Sequence, residues 1–80
     1  MMGYGIVDIR KVGSYGDQVA YAFHHEGKAG TFFVDMNTGE ISGASFVKTD
    51  REARAGFAAQ FKVKQAWEAG ELPEKLVWAG

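Results

Sequence analysis

The chain has 80 residues and a formal net charge of −1, and it contains no cysteine. This length suits one domain over residues 1–80, and the lack of cysteine excludes disulfides and thiolate metal sites. There is no basic tract and no apolar run of about 18 residues, which argues against nucleic-acid binding and a membrane span. Because a signal-peptide pattern is also missing, we expect a cytoplasmic protein that binds neither nucleic acid nor a membrane.

Alternating apolar and polar residues predict four strands in the first half of the chain. The strands are placed at about residues 4–12, 18–25, 29–36 and 40–47. Glycine-containing turns separate them, which predicts an antiparallel β-meander.

The register of this sheet follows from matching apolar residues across neighbouring strands, because a slip of one residue turns every side chain to the other face. The matched pairs are Ile9 with Tyr21, Tyr21 with Phe32, and Val34 with Ser42. The resulting core face consists of Val7, Ile9, Val19, Tyr21, Phe23, Phe32, Val34, Ala44 and Phe46.

Residues 50–69 are predicted to form one long C-terminal helix. The segment Thr49-Asp50-Arg51-Glu52 has the pattern of a capping box, and Gly70 suits the left-handed position just after the helix. Phe57 and Phe61 fall on one stripe of the helical wheel, so we expect them to pack on the sheet.

The predicted fold class is therefore α+β: a four-stranded antiparallel β-meander followed by one long helix packed on one sheet face. A short tail, residues 71–80, completes the chain. Pro73 can begin one helical turn or precede an added edge strand, and both readings of the tail remain open.

The second face of the sheet is unusually apolar for a face in contact with water. Ile6, Phe33, Ile41 and Val47 would form an exposed patch there, and such patches often mark an interface. Either the tail or another chain could cover it, or the patch is simply exposed. The candidate binding residues are Ile6, Phe33, Ile41, Val47, Trp67 and Trp78.

The same face offers a polar rim made of Asp8, Arg10 and His24. A carboxylate beside a histidine can support acid–base chemistry. Next to this rim, small side chains could leave a groove for a ligand. These residues are Ala20, Ala22 and Gly43.

No stronger catalytic signal is present, and we assign no catalytic residue, metal site or cofactor. Adjacent residues of a strand point to opposite faces, so His24 and His25 cannot share one metal ion. The segment Phe33–Ile41 resembles the hairpin of small PepSY domains, but the resemblance covers that hairpin alone and implies no function for the chain.

The sequence thus favours a small non-enzymatic interaction module that forms a homodimer or binds a protein partner. The association would use the semi-apolar sheet face or the helix edge near Trp67. The alternative is a ligand-binding or enzymatic domain with its groove on the second sheet face.

Overall fold

The computed structural model describes residues 6–44 and 50–79 of the chain. Its elements are β1 (Ile6–Tyr15), β2 (Gln18–His25), β3 (Lys28–Asp35), β4 (Ile41–Ser42), α1 (Asp50–Glu68) and β5 (Lys75–Ala79). The strands form one antiparallel sheet in the order β4-β3-β2-β1-β5. The α+β class is confirmed, but the described residues form five strands instead of the predicted four.

The hairpin between β2 and β3 has the predicted register, with Tyr21 opposite Phe32. Glu26 and Gly27 have φ angles of 51° and 79°. Two successive positive φ angles are typical of a type I′ turn, whose twist matches that of the strands it joins.

The register between β1 and β2 differs from the prediction, because Ile9 lies opposite Phe23 and not opposite Tyr21. The ladder shifts between Lys11 and Gly13, which makes Val12 the extra residue of a β-bulge. The bulge lets the turn move to Gly16 while the apolar side chains of β1 stay on the buried face. The predicted face was right for this reason, although the predicted partners were wrong.

The β3–β4 connection is longer than predicted, and this changes the position of Ile41. The Asp35 carboxylate accepts hydrogen bonds from the backbone N–H groups of Asn37 and Thr38, at 2.8 and 3.1 Å. The Asp35 N–H donates to the Glu40 carbonyl at 2.9 Å, which leaves four residues in the loop. Ile41 therefore lies opposite Val34 and packs against the core, so its predicted place on the second face is wrong. Strand β4 spans only Ile41–Ser42 of the predicted residues 40–44, and residues 45–47 of the predicted strand lie outside the described residues.

Helix α1 has the predicted extent within one residue, but a different side of it meets the sheet. Ala55, Ala59 and Val63 are buried in the core at 2%, 0% and 0% exposure. Phe57 and Phe61 are 59% and 60% exposed, so their predicted packing on the sheet is wrong. Each phenylalanine lies about 200° around the helix from an alanine of the buried stripe. The side of the helix that meets the sheet therefore carries small and medium-sized side chains, and the two aromatic rings face away from the core.

The helix ends as its sequence predicts. The Glu71 N–H donates to the Ala66 carbonyl and the Gly70 N–H to the Trp67 carbonyl, at 3.1 and 2.9 Å. Gly70 has a φ of 96°. This is the Schellman pattern. The predicted capping box at the other end begins at Thr49, which lies outside the described residues.

The tail forms β5, an edge strand antiparallel to β1. Of the two predicted alternatives, a helical turn and an added edge strand, the edge strand is confirmed. The Tyr21 hydroxyl donates to the Pro73 carbonyl at 2.6 Å, and the Lys11 N–H donates to the Glu74 carbonyl at 2.8 Å. Burial, together with the negative charge of Glu74, raises the pKa of Tyr21 to about 12. Leu76 and Trp78 of β5 pack against the core under the sheet.

Seven of the nine residues predicted for the core face are buried, namely Val7, Ile9, Val19, Tyr21, Phe23, Phe32 and Val34. Ala44 is exposed, and Phe46 lies outside the described residues. In the described ranges, no helix is both long and apolar enough to cross a membrane.

Candidate functional site

The face of the sheet turned away from α1, here called the outer face, is the main candidate site. Side chains alternate between the two faces along each strand. Because Leu76 and Trp78 of β5 point toward the core, Lys75, Val77 and Ala79 of the same strand point to the outer face. No described element lies over this face, because the tail joins the sheet edge instead of folding across it. Strand β5 therefore enlarges the outer face.

Large apolar side chains are exposed at one edge of the outer face. Ile6 is 59% exposed, and Val77 is 42% exposed. Ile6 pairs with Ala79, and Val77 pairs with Asp8, which places both apolar side chains on the β1–β5 ribbon. Ile6 was predicted from the sequence, but Val77 was missed because its orientation depends on the pairing of β5.

An aromatic pair lies toward the other end of the outer face. The rings of Tyr15 and Phe33 meet edge to face with centroids 6.2 Å apart, and Tyr15 is 63% exposed. A Cβ at Gly13 would lie 2.8 Å from the Tyr15 hydroxyl, and one at Gly43 would lie 3.0 Å from the Phe33 ring. The Tyr15 ring therefore lies close to the backbone of Gly13, and the Phe33 ring lies close to the backbone of Gly43.

This aromatic pair changes the predicted ligand groove. Ala20 pairs with Phe33 in the sheet and is only 6% exposed. The Phe33 ring lies against the backbone of Gly43, so it takes up space that the predicted groove over Ala20 and Gly43 needs. Ala22, the third residue of that groove, is half-buried.

The predicted polar rim does lie together on the outer face. Asp8 is directly opposite His24, and His24 is exposed. Arg10 is directly opposite Lys75. The backbone bond from Lys11 to Glu74 makes the Arg10–Lys75 pair a non-hydrogen-bonded one, in which cross-strand side chains are closest. Two like charges directly opposite each other destabilise a sheet unless a carboxylate offsets them.

The remaining predicted binding residues that the structure describes do not contribute to the outer face. Ile41 and Trp78 pack against the core on the helix side. Val47 lies outside the described residues. Trp67 is half-buried, and its indole N–H donates to the Met36 carbonyl at 2.9 Å, so its ring is engaged within the chain.

A groove lies on the helix side of the sheet, beside Trp67, and is the second candidate site. It has a volume of about 530 Å³ and lies between the end of α1, the β1–β2 hairpin and the β3–β4 loop. Its lining includes Lys11, Ser14, Val19, Met36, Trp67 and Leu72. Sequence reasoning selected Trp67 but gave no role to Lys11, because only the packed helix shows that the two residues share a cavity.

The two histidines lie on opposite sides of β2, as the alternation predicts. His24 is exposed on the outer face, whereas His25 is 4% exposed and its Nδ1 lies 3.3 Å from the Ile6 carbonyl oxygen. Among the described residues, no group of three or more His, Asp or Glu side chains is placed to hold a metal ion.

Comparison of the chain with protein-family models, with curated proteins and with solved structures finds no match. The geometry of the chain therefore carries the functional argument.

Proposed function

We propose that the protein is a non-enzymatic interaction module that self-associates through the outer face of its sheet. The observation that supports this most is the exposure of Ile6, Val77 and Tyr15 on a face that no described element covers. Water contact with large apolar side chains is unfavourable, and a second copy of the face removes it.

The size of the face is compatible with a dimer. Strands lie about 4.8 Å apart and rise about 3.3 Å per residue, so the four longer strands cover on the order of 500 Å². Two such faces bury on the order of 1,000 Å² in total, which is the lower end of the range for specific interfaces. We therefore expect a dimer that dissociates on dilution.

The charges of the face also suit a second copy of the chain. Arg10 and Lys75 are adjacent and positive, while Asp8 supplies a carboxylate on the same face. An isologous interface requires a surface complementary to itself, which needs both signs of charge. A carboxylate from the second copy beside Arg10 would offset the repulsion within the Arg10–Lys75 pair.

The helix edge is the competing surface for self-association. Trp67 is engaged with Met36, so the exposed aromatic residues of α1 are Phe57 and Phe61. These two residues lie on the opposite side of the molecule from the outer face. Substitutions on the two surfaces therefore separate the two modes of association.

The test compares Ile6→Lys with Phe61→Lys, because the two side chains have nearly equal exposure, 59% and 60%. Light scattering on a sizing column measures the mass of each variant, and circular dichroism checks that each is folded. We expect Ile6→Lys to be monomeric at concentrations where Phe61→Lys and the unmodified chain are dimeric. Dissociation by Phe61→Lys alone would assign the interface to the helix edge and overturn the proposal.

A further inference from the structure

We propose that the groove beside Trp67 binds a small carboxylate with an apolar body, and that the Lys11 ammonium recognises the carboxylate. This groove is on the helix side of the sheet, so the proposal is independent of association through the outer face. Its volume of about 530 Å³ is within the range of small-molecule sites.

The floor of the groove is apolar and fixed in position. The Trp67 indole N–H donates to the Met36 carbonyl at 2.9 Å, and the Lys64 ammonium lies 5.5 Å from the centre of the Trp67 ring. Lys64 in turn donates to the Gly39 carbonyl at 3.0 Å. Because these contacts hold Trp67, a ligand that packs on its ring loses little free energy to side-chain ordering.

Lys11 gives the groove its chemical selectivity. It is half-buried on the helix side of β1, opposite Tyr21, where an apolar side chain would be expected. Its ammonium forms no hydrogen bond or ion pair with any described residue. Glu74 is the residue opposite Lys11 across the β1–β5 pair, but the two side chains form no ion pair. The half-buried ammonium can therefore pair with an anionic ligand group, and the Ser14 hydroxyl, which also lines the groove, can donate a further hydrogen bond.

The rest of the lining comes from the segment that follows α1. Gly70, Glu71 and Leu72 lie there, and Glu71 is the acidic residue of the lining. Lys11 is the cation among the lining residues, so we expect the carboxylate of the ligand to bind at its ammonium. The apolar body of the ligand lies against Val19, Trp67 and Leu72.

The probe is 4-phenylbutyrate, and its uncharged amide, 4-phenylbutyramide, is the matched ligand control. Binding is followed in ¹⁵N spectra through the Trp67 indole N–H and the Gly70 amide, and by calorimetry. We expect saturable shifts at both groups with a dissociation constant on the order of 1 mM or lower, and about tenfold weaker binding of the amide.

Substitutions of lysine complete the test. Lys11→Met should weaken 4-phenylbutyrate binding about tenfold and leave the amide unchanged, while Lys11→Arg should retain most of the affinity. Lys62→Met removes the same charge from the helix outside the groove, and it should leave both ligands unaffected. Equal binding of acid and amide to the unmodified chain, tighter binding of 4-phenylbutylamine, or no shift up to about 20 mM would overturn the proposal. The comparison of acid with amide needs no variant, so it holds even if Lys11→Met fails to fold.

Discussion

At the scale of single residues, Gly39 is the position where backbone and side chain constrain each other most closely. Its φ is 76°, and a Cβ built on it would lie 2.6 Å from the Trp67 ring. A side chain here would therefore meet both backbone strain and a steric clash.

We expect Gly39→Ala to lower the free energy of unfolding by about 2–4 kcal/mol, because strain at a positive φ and overpacking add together. Gly16→Ala is the matched control, since Gly16 has a φ of 63° but nothing within 4 Å of the built Cβ. Gly16→Ala should lower the free energy of unfolding by about 1 kcal/mol. Urea unfolding measures both variants, and equal effects would show that the Trp67 contact is not rigid.

Tyr21 makes stability depend on pH at alkaline values. Its folded-state pKa of about 12 lies above the ordinary value of 10.0, so the folded chain favours the protonated phenol. The resulting stabilisation is present in full below pH 10 and is lost as the pH rises toward 12. Its upper limit is about 3 kcal/mol.

We expect Tyr21→Phe to flatten the fall in stability between these pH values and to remove a phenol that ionises near pH 12 in an ultraviolet titration. At neutral pH the variant should be about 1–2 kcal/mol less stable, because the Pro73 carbonyl loses its donor. Tyr15→Phe, on the exposed outer face, is the control and should keep the alkaline fall. An unchanged pH profile for Tyr21→Phe would contradict this account.

At the scale of elements, the position of α1 is set by its small residues. Ala59→Leu should lower the free energy of unfolding by about 1–3 kcal/mol, because Ala59 is fully buried and a larger side chain overpacks the contact with the sheet. Phe61→Ala, on the outward side, should change stability by less than about 0.5 kcal/mol. Denaturant unfolding tests both variants, and the reverse order of effects would mean that the aromatic side of the helix faces the sheet.

The elements also show which parts of the fold can be predicted from local sequence. The β2–β3 hairpin was predicted with its register, because a two-residue turn at Glu26 and Gly27 determines the pairing directly. The β1–β2 register was predicted wrongly. A bulge at Val12 keeps the apolar side chains of β1 on the buried face but changes which residue of β2 lies opposite each of them. The side of α1 that meets the sheet was also missed, because a periodicity argument gives aromatic residues more weight than alanine.

At the scale of the whole molecule, some residues of the candidate site follow from the local strand pattern, and others depend on the pairing of segments that are distant in the sequence. Ile6, Phe33 and the rim of Asp8, Arg10 and His24 were identified because strand alternation is a local property. Val77 was not identified, because its face is set by the pairing of β5 with a strand at the opposite end of the chain. The groove at Lys11 likewise exists only once the helix is packed.

The most direct test of the account is the mass of the unmodified chain in solution, measured by light scattering over a concentration series up to about 1 mM. We predict a mass that rises with concentration from 8.7 kDa toward twice that value. The Ile6→Lys variant should remain at the lower mass throughout. A mass of one chain at every concentration would contradict self-association through the outer face.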